Sequence, residues 1–157
     1  MLRKFLNNIE EYIIGIGLLI MATINFANVV SRYLLHASWA FTEEITTNLF
    51  VLTSLLGAAV AAKRGSHLGL SVFTDFIPKK YQKFVTLFSV ICAVILFSML
   101  FRYGINMVQS QMRFRQTSPA LGWPEWIFGM AVPIGAFSLI VRFIQLGVME
   151  FMKKEGN

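Results

Sequence analysis

Cysteine is almost absent from this 157-residue chain: Cys92 stands alone inside an apolar run. No intrachain disulfide can form, and no CxxC metal or redox motif is present. Charge is scarce as well. Asp, Glu, Lys and Arg together make up 14% of the residues, against about 25% in an ordinary soluble domain. The two histidines, His36 and His67, lie outside the long apolar runs, so axial haem ligation inside a helical bundle is excluded. No Cys, His or carboxylate cluster has metal-ligand spacing. No serine sits in a nucleophile elbow with a His–acid partner. These scarcities exclude a disordered chain, a disulfide-rich secreted module and most soluble enzymes. No cofactor is expected.

What is abundant is apolar surface. Hydrophobic residues make up 56% of the chain, with fifteen Phe and eight Met, and the mean hydropathy is +0.64. One small soluble core does not need so much, so the excess faces lipid. Four runs without a charge, 13–30, 45–62, 84–101 and 126–141, carry it. A run of this kind gives a helix of about 27 Å, close to the roughly 30 Å hydrocarbon core. The expected fold is an all-α integral membrane protein, one membrane domain over 1–157, with four transmembrane helices at about 11–34, 42–64, 83–109 and 124–147. The first run follows Arg3 and Lys4 as a signal peptide would. It is longer than a typical h-region and no small-x-small site follows, so it is read as an uncleaved first helix.

Pro78 and Pro119 fall in connectors, and Pro124 stands where the fourth helix should start. Pro133, with Gly129 and Gly135, predicts a kink near the middle of that helix. In the second connector, Leu70, Phe73, Phe76 and Ile77 share one helical face ahead of Pro78 and Lys79, Lys80 and Lys83. This pattern predicts a short interfacial helix at about 69–77. Trp39, Trp123 and Trp126 lie at span ends, where aromatic belts meet the headgroups.

The net charge of +6 is a topology signal. Ten of the fourteen Lys and Arg belong to the N-terminus, the second connector and the C-terminus; Arg32, Arg102, Arg113 and Arg115 fall on the other side. The positive-inside rule then places both termini in the cytoplasm. No basic face remains for nucleic acid, and no nucleic-acid partner is expected.

Ionisable groups deep in a membrane usually mark ion paths, and no run carries one at its middle. Asn25 and Asn28, three apart near the end of the first helix, are read as packing contacts between helices. The small residues from Gly57 to Ala62 leave a flat surface that another helix can approach closely. Thr42 can cap the second helix, and Glu43 and Glu44 suit its positive end. The two acids also suit a partner contact or the counter-ions of Arg32. The residues alone leave two readings open: a subunit that supports a partner, or a stand-alone four-helix protein acting as an intramembrane enzyme or small exporter.

The order of several short motifs favours the first. Asn28-Val-Val-Ser-Arg32-Tyr33 ends the first helix, and Phe41-Thr-Glu43-Glu44 precedes the second. Leu56-Gly57-Ala58-Ala59 and His67-Leu68 follow. Ser118-Pro-Ala-Leu-Gly-Trp123-Pro124 leads into Pro133-Ile-Gly135. In this order the chain resembles, over about residues 10 to 145, the small membrane subunit of tripartite ATP-independent periplasmic (TRAP) transporters, the DctQ and SiaQ type. It departs from that family in placing Phe41 beside the acid pair, with Trp39 two residues earlier, and Ser71 near the place of a frequent Asp. The resemblance implies a multi-pass protein of the bacterial inner membrane that binds neither substrate nor ion itself. It implies a fixed scaffold for a large, elevator-type membrane subunit. The system would take up an organic acid, sialic acid or a C4-dicarboxylate, with sodium and a periplasmic binding protein. Expected partner contacts are Arg32, Glu43, Glu44, Gly57, Ala58, Ala61, Arg113 and Arg115. Expected contacts with the lipid bilayer interface are Trp39, Phe73, Phe76, Lys79, Lys80, Trp123 and Trp126.

Overall fold

The computed structural model describes residues 2–63 and 79–152. Five helices account for almost all of them: α1 (Leu2–Leu34), α2 (Ala40–Lys63), α3 (Lys79–Arg113), α4 (Glu125–Gly129) and α5 (Ala131–Met152). Four stretches are long and apolar enough to cross a membrane: Asn8–Leu34, Ala40–Lys63, Leu87–Arg113 and Glu125–Val148, the last combining α4 and α5. The described residues contain no β-strand. The fold is the all-α, four-span membrane protein that the apolar runs predict. The interfacial helix expected at 69–77, with Phe73 and Phe76, lies outside the described residues.

In space the order of the helices differs from their order in the chain. α1 packs on α2, α2 on α5, and α5 on α3. α2 and α5 are therefore central, while α1 and α3 flank them. About a tenth of each flanking span is buried (11%), against 28% and 33% for the two central ones. Lipid is as apolar as leucine, so helices in it associate through close contact rather than by escape from water. The buried residues fit that rule: Ala59, Ala62 and Ala136 are small, and Leu56 and Leu139 fill the space between them. Two glycines mark close approaches between neighbouring helices. A Cβ on Gly17 would lie 2.7 Å from the Thr53 methyl carbon, and one on Gly135 would lie 2.5 Å from the Leu55 Cβ.

Side chains of α1 organise the first connector. The Asn28 Oδ1 accepts the Trp39 N–H at 3.0 Å, and the Ser31 hydroxyl donates to the Ala37 carbonyl at 3.0 Å. The Ser31 carbonyl takes the Leu35 N–H at 2.8 Å, after which His36 turns into the left-handed region with φ 50°. With Trp39 fixed in this way, α2 begins at Ala40. Thr42 is consequently inside the first turn rather than at its cap. Its hydroxyl points back and donates to the Trp39 carbonyl at 2.6 Å. Asn25 does bond across helices, its Nδ2 donating to the Thr46 hydroxyl at 3.3 Å.

α3 is a single rod of 35 residues, about 52 Å long. The chain then folds back through a tight connector. The Ser118 N–H donates to the Trp123 carbonyl at 2.8 Å and the Gly122 N–H to the Ser118 carbonyl at 2.9 Å. Gly122 adopts φ 66°, which a side chain would oppose. The expected kink of the fourth span falls earlier than its middle. What stands there is an interruption of the helix at Met130, which separates α4 from α5. Proline disturbs the turn before it: Pro133 has no N–H for the Gly129 carbonyl, and its ring crowds that carbonyl. The hydrogen bonds from Met130 N–H to the Trp126 carbonyl and from Ile134 N–H to the Met130 carbonyl bridge the interruption.

Candidate functional site

The end of the molecule that carries the first and third connectors gathers most of the polar residues singled out above. Glu43 and Glu44 occupy the first turns of α2 and differ in what they reach. Glu43 is exposed. Glu44 is half-buried, and its Oε2 accepts the Ala120 N–H of the third connector at 3.0 Å. Its Oε1 is buried and has no hydrogen-bond partner among the described residues. A pocket of about 450 Å³ opens between these elements, lined by Ala40, Glu43, Glu44, Thr47, Asn48, Pro119 and Ala120. Arg32, Arg113 and Arg115 are exposed at the same end. None of the three stands within ion-pair distance of Glu43 or Glu44. Arg115 adopts φ 48° as the chain leaves α3.

The tryptophans also lie at this end. Trp39 stacks on Phe41 with ring centroids 5.7 Å apart, and Trp123 on Phe128 at 6.5 Å. Trp126 is half-buried on α4. Lys79 and Lys80 form the first turn of α3 at the opposite end.

The small-residue segment of α2 divides between two faces. Ala59, Val60 and Ala62 are buried among the helices. Ala58 and Ala61 are exposed, and a Cβ added to Gly57 would meet nothing within 4 Å. With the exposed Glu43, Thr47, Phe50 and Ser54, these residues recur every three or four positions. They therefore form one open stripe along the whole helix. At its middle the stripe is nearly flat, since Ser54, Gly57, Ala58 and Ala61 carry little or no side chain.

The opposite end holds a feature that the sequence did not reveal. Arg142 of α5 and Glu10 of α1 form a buried ion pair, with Nη2 to Oε2 at 2.8 Å and each side chain 9% exposed. The Arg142 Nε donates to both carboxylate oxygens at 3.0 Å, and Nη1 donates to the Gln145 Oε1 at 2.8 Å. Lys63, the last residue of α2, adds the Glu11 carboxylate at 3.5 Å and the Asn8 side-chain oxygen at 3.0 Å. Three helices are thus tied at one level. Counting Arg142 among the C-terminal cations hid this role. The readable signal was that Phe143, Ile144, Leu146 and Val148 continue the apolar pattern beyond it. Among the described residues, no three His, Cys, Asp or Glu side chains come together as a metal site.

The stripe of α2 and the connector end are open surfaces among the described residues. Comparison with known proteins adds the family. Residues 21–150 match the family described as tripartite ATP-independent periplasmic transporters, DctQ component. The chain is 29% identical over 153 residues to the sialic acid TRAP transporter permease protein SiaT of Haemophilus influenzae, covering 94% of this chain and 24% of SiaT. It is 25% identical over 151 residues to the ectoine TRAP transporter small permease protein TeaB of Halomonas elongata, covering 96% of this chain and 78% of TeaB. To the sialic acid TRAP transporter small permease protein SiaQ of Vibrio cholerae it is 27% identical over 146 residues, covering 92% of this chain and 83% of SiaQ. It spans about a quarter of SiaT and about four-fifths of the two small permease proteins.

Proposed function

The chain belongs to the DctQ component family of tripartite ATP-independent periplasmic transporters, and from that membership we propose that it is the fixed scaffold of a sodium-driven uptake system in the bacterial inner membrane. It is a small TRAP permease subunit and a multi-pass membrane protein. Its partner is the large membrane subunit, which carries the substrate and ion sites and moves like an elevator against it. A periplasmic binding protein delivers an organic acid, sialic acid or a C4-dicarboxylate. Both termini lie in the cytoplasm, so the connector end with Glu43 faces the periplasm.

The observation that carries this reading is the open stripe of α2. A flat row of small residues within a membrane span suits close approach by a foreign helix. In a stand-alone pump the helices would instead enclose a polar cavity. Gly57, Ala58 and Ala61 form the contact with the large subunit. Arg32, Glu43 and Arg115 reach outward at the periplasmic end. Glu44 holds the third connector in place beside them. Trp39, Trp123 and Trp126 anchor that end at the membrane interface.

The test is capture from the native host in mild detergent, followed by mass spectrometry. The expected result is recovery of a larger polytopic membrane protein in fixed ratio with this chain. Gly57→Leu with Ala58→Leu should remove that protein while the chain still inserts. Recovery of the chain by itself as a stable homo-oligomer would sink the scaffold reading.

A further inference from the structure

A second concave surface lies far from the stripe of α2. It is a groove of about 480 Å³ between α3 and the interruption of the fourth span. Phe101, Ile105 and Met112 line it from α3, and Met130, Ile134 and Phe137 from the other side. Gln109 and Ser138 are the only polar side chains in the lining. Most of the wall is open to the surroundings: Phe137 is 57% exposed, Ile134 48% and Met112 47%. In a membrane-spanning chain these surroundings are lipid or another subunit.

Two observations choose between them. Phe101 to Met112 is twelve residues of helix, a rise of about 17 Å, and one leaflet of the hydrocarbon core is about 15 Å deep. The groove therefore has about the length of one leaflet, and it lies at the Arg113 end of the span Leu87–Arg113. Arg113 stands at its outer end, four residues beyond Gln109 and so on the same stripe of α3. Arg113 is exposed, and no acidic side chain among the described residues pairs with it. An apolar trough of leaflet length, ended by an unneutralised guanidinium, has the chemistry of a phospholipid: an acyl chain below and a phosphate above. Guanidinium forks match phosphate oxygens well. A partner helix, about 10 Å across with ridged sides, has no need of the terminal cation.

We propose that this groove holds one acyl chain of a phospholipid from the leaflet at the α3 C-terminal end, with the lipid phosphate on Arg113. The inference needs only that α3 and α5 span the membrane, and it holds for either orientation of the chain. It gives Arg113 a lipid partner instead of the protein contact expected from its position in the sequence. The full chain, purified in dodecylmaltoside and mixed with phosphatidylglycerol, is examined by native mass spectrometry. One phospholipid should survive on the wild-type chain. Ile134→Trp, which fills the trough, should lower its retention by about tenfold, and Arg113→Gln by a similar factor. Met112→Trp, at the rim, gives a second filling variant should Ile134→Trp fail to elute as a monodisperse species. Absence of a retained lipid, or equal retention by wild type and both filled variants, overturns the proposal. Displacement of the adduct by millimolar inorganic phosphate also overturns it, because the site would then recognise a free anion. Loss of a co-purifying membrane protein from the filled variants, with lipid retention unchanged, would assign the groove to that partner and overturn it equally.

Discussion

Arg142 of α5 meets Glu10 of α1 at 2.8 Å, and the two bury each other at the end opposite the first and third connectors. α1 packs chiefly on α2, and this pair ties it to the fourth span as well. Removing one partner strands the other charge away from water, at a cost of about 3–5 kcal/mol. Glu10→Gln and Arg142→Met should each lower the thermal midpoint of the detergent-purified chain. Glu10→Leu combined with Arg142→Leu should lose less than either single change, because neither charge is then left unpaired. A loss in the double variant equal to the sum of the single losses would show that the two charges act independently rather than as a pair.

The glycines separate internal packing from the open stripe. A Cβ on Gly17 would come within 2.7 Å of the Thr53 methyl, whereas one on Gly57 meets nothing within 4 Å. Gly17→Val should destabilise the isolated chain by about 1–3 kcal/mol through overpacking. Gly57→Val should leave its melting curve within about 0.5 kcal/mol of wild type. Equal destabilisation at both positions would mean that the α2 stripe is covered within the chain.

The four spans were legible because long charge-free runs have one simple explanation in a chain so poor in charge. A break in the fourth span was legible, since Pro133 must cost a turn one hydrogen bond, although the interruption falls at Met130, three residues earlier. The buried pair of Glu10 and Arg142 was not legible. Each residue stands at the edge of an apolar run, where charges are commonplace, and only the crossing of α1 and α5 makes them partners. The division between Glu43 and Glu44 was hidden for a similar reason: adjacent residues on a helix differ by about 100°, and the third connector determines which one is occupied. Asn28 and Ser31 were visible as a motif, while their task of fixing residues 37–39 appears only in three dimensions.

Glu44 couples α2 to the third connector through the Ala120 N–H at 3.0 Å. A carboxylate acceptor makes this bond stronger than a neutral one. Glu44→Ala should loosen the connector and speed amide hydrogen exchange at Ala120, with a loss of about 1–3 kcal/mol in local protection. Glu44→Gln keeps an acceptor oxygen and should retain most of that protection. If both variants exchange at the wild-type rate, the connector is held by its internal bonds at Ser118, Gly122 and Glu125 alone.

Glu43 allows a test of the partner surface that leaves the fold intact. Its side chain is exposed and has no ion-pair partner among the described residues, so Glu43→Arg removes no internal contact. The change does place a cation near the positive end of α2, which costs about 0.3–1 kcal/mol. That is too little to unfold the chain. If Glu43 meets a complementary charge on the large subunit or the binding protein, reversal replaces attraction by repulsion. Such changes act mainly on the rate of encounter and weaken as salt rises. Uptake in cells carrying Glu43→Arg should fall several-fold at low ionic strength and recover part of the loss at high ionic strength, with unchanged amounts of the chain in the membrane. Glu43→Gln, which removes the charge without reversing it, should fall between the two. Wild-type uptake by Glu43→Arg at low salt would take this carboxylate out of the contact surface and leave the open stripe below it as the part that meets the partner.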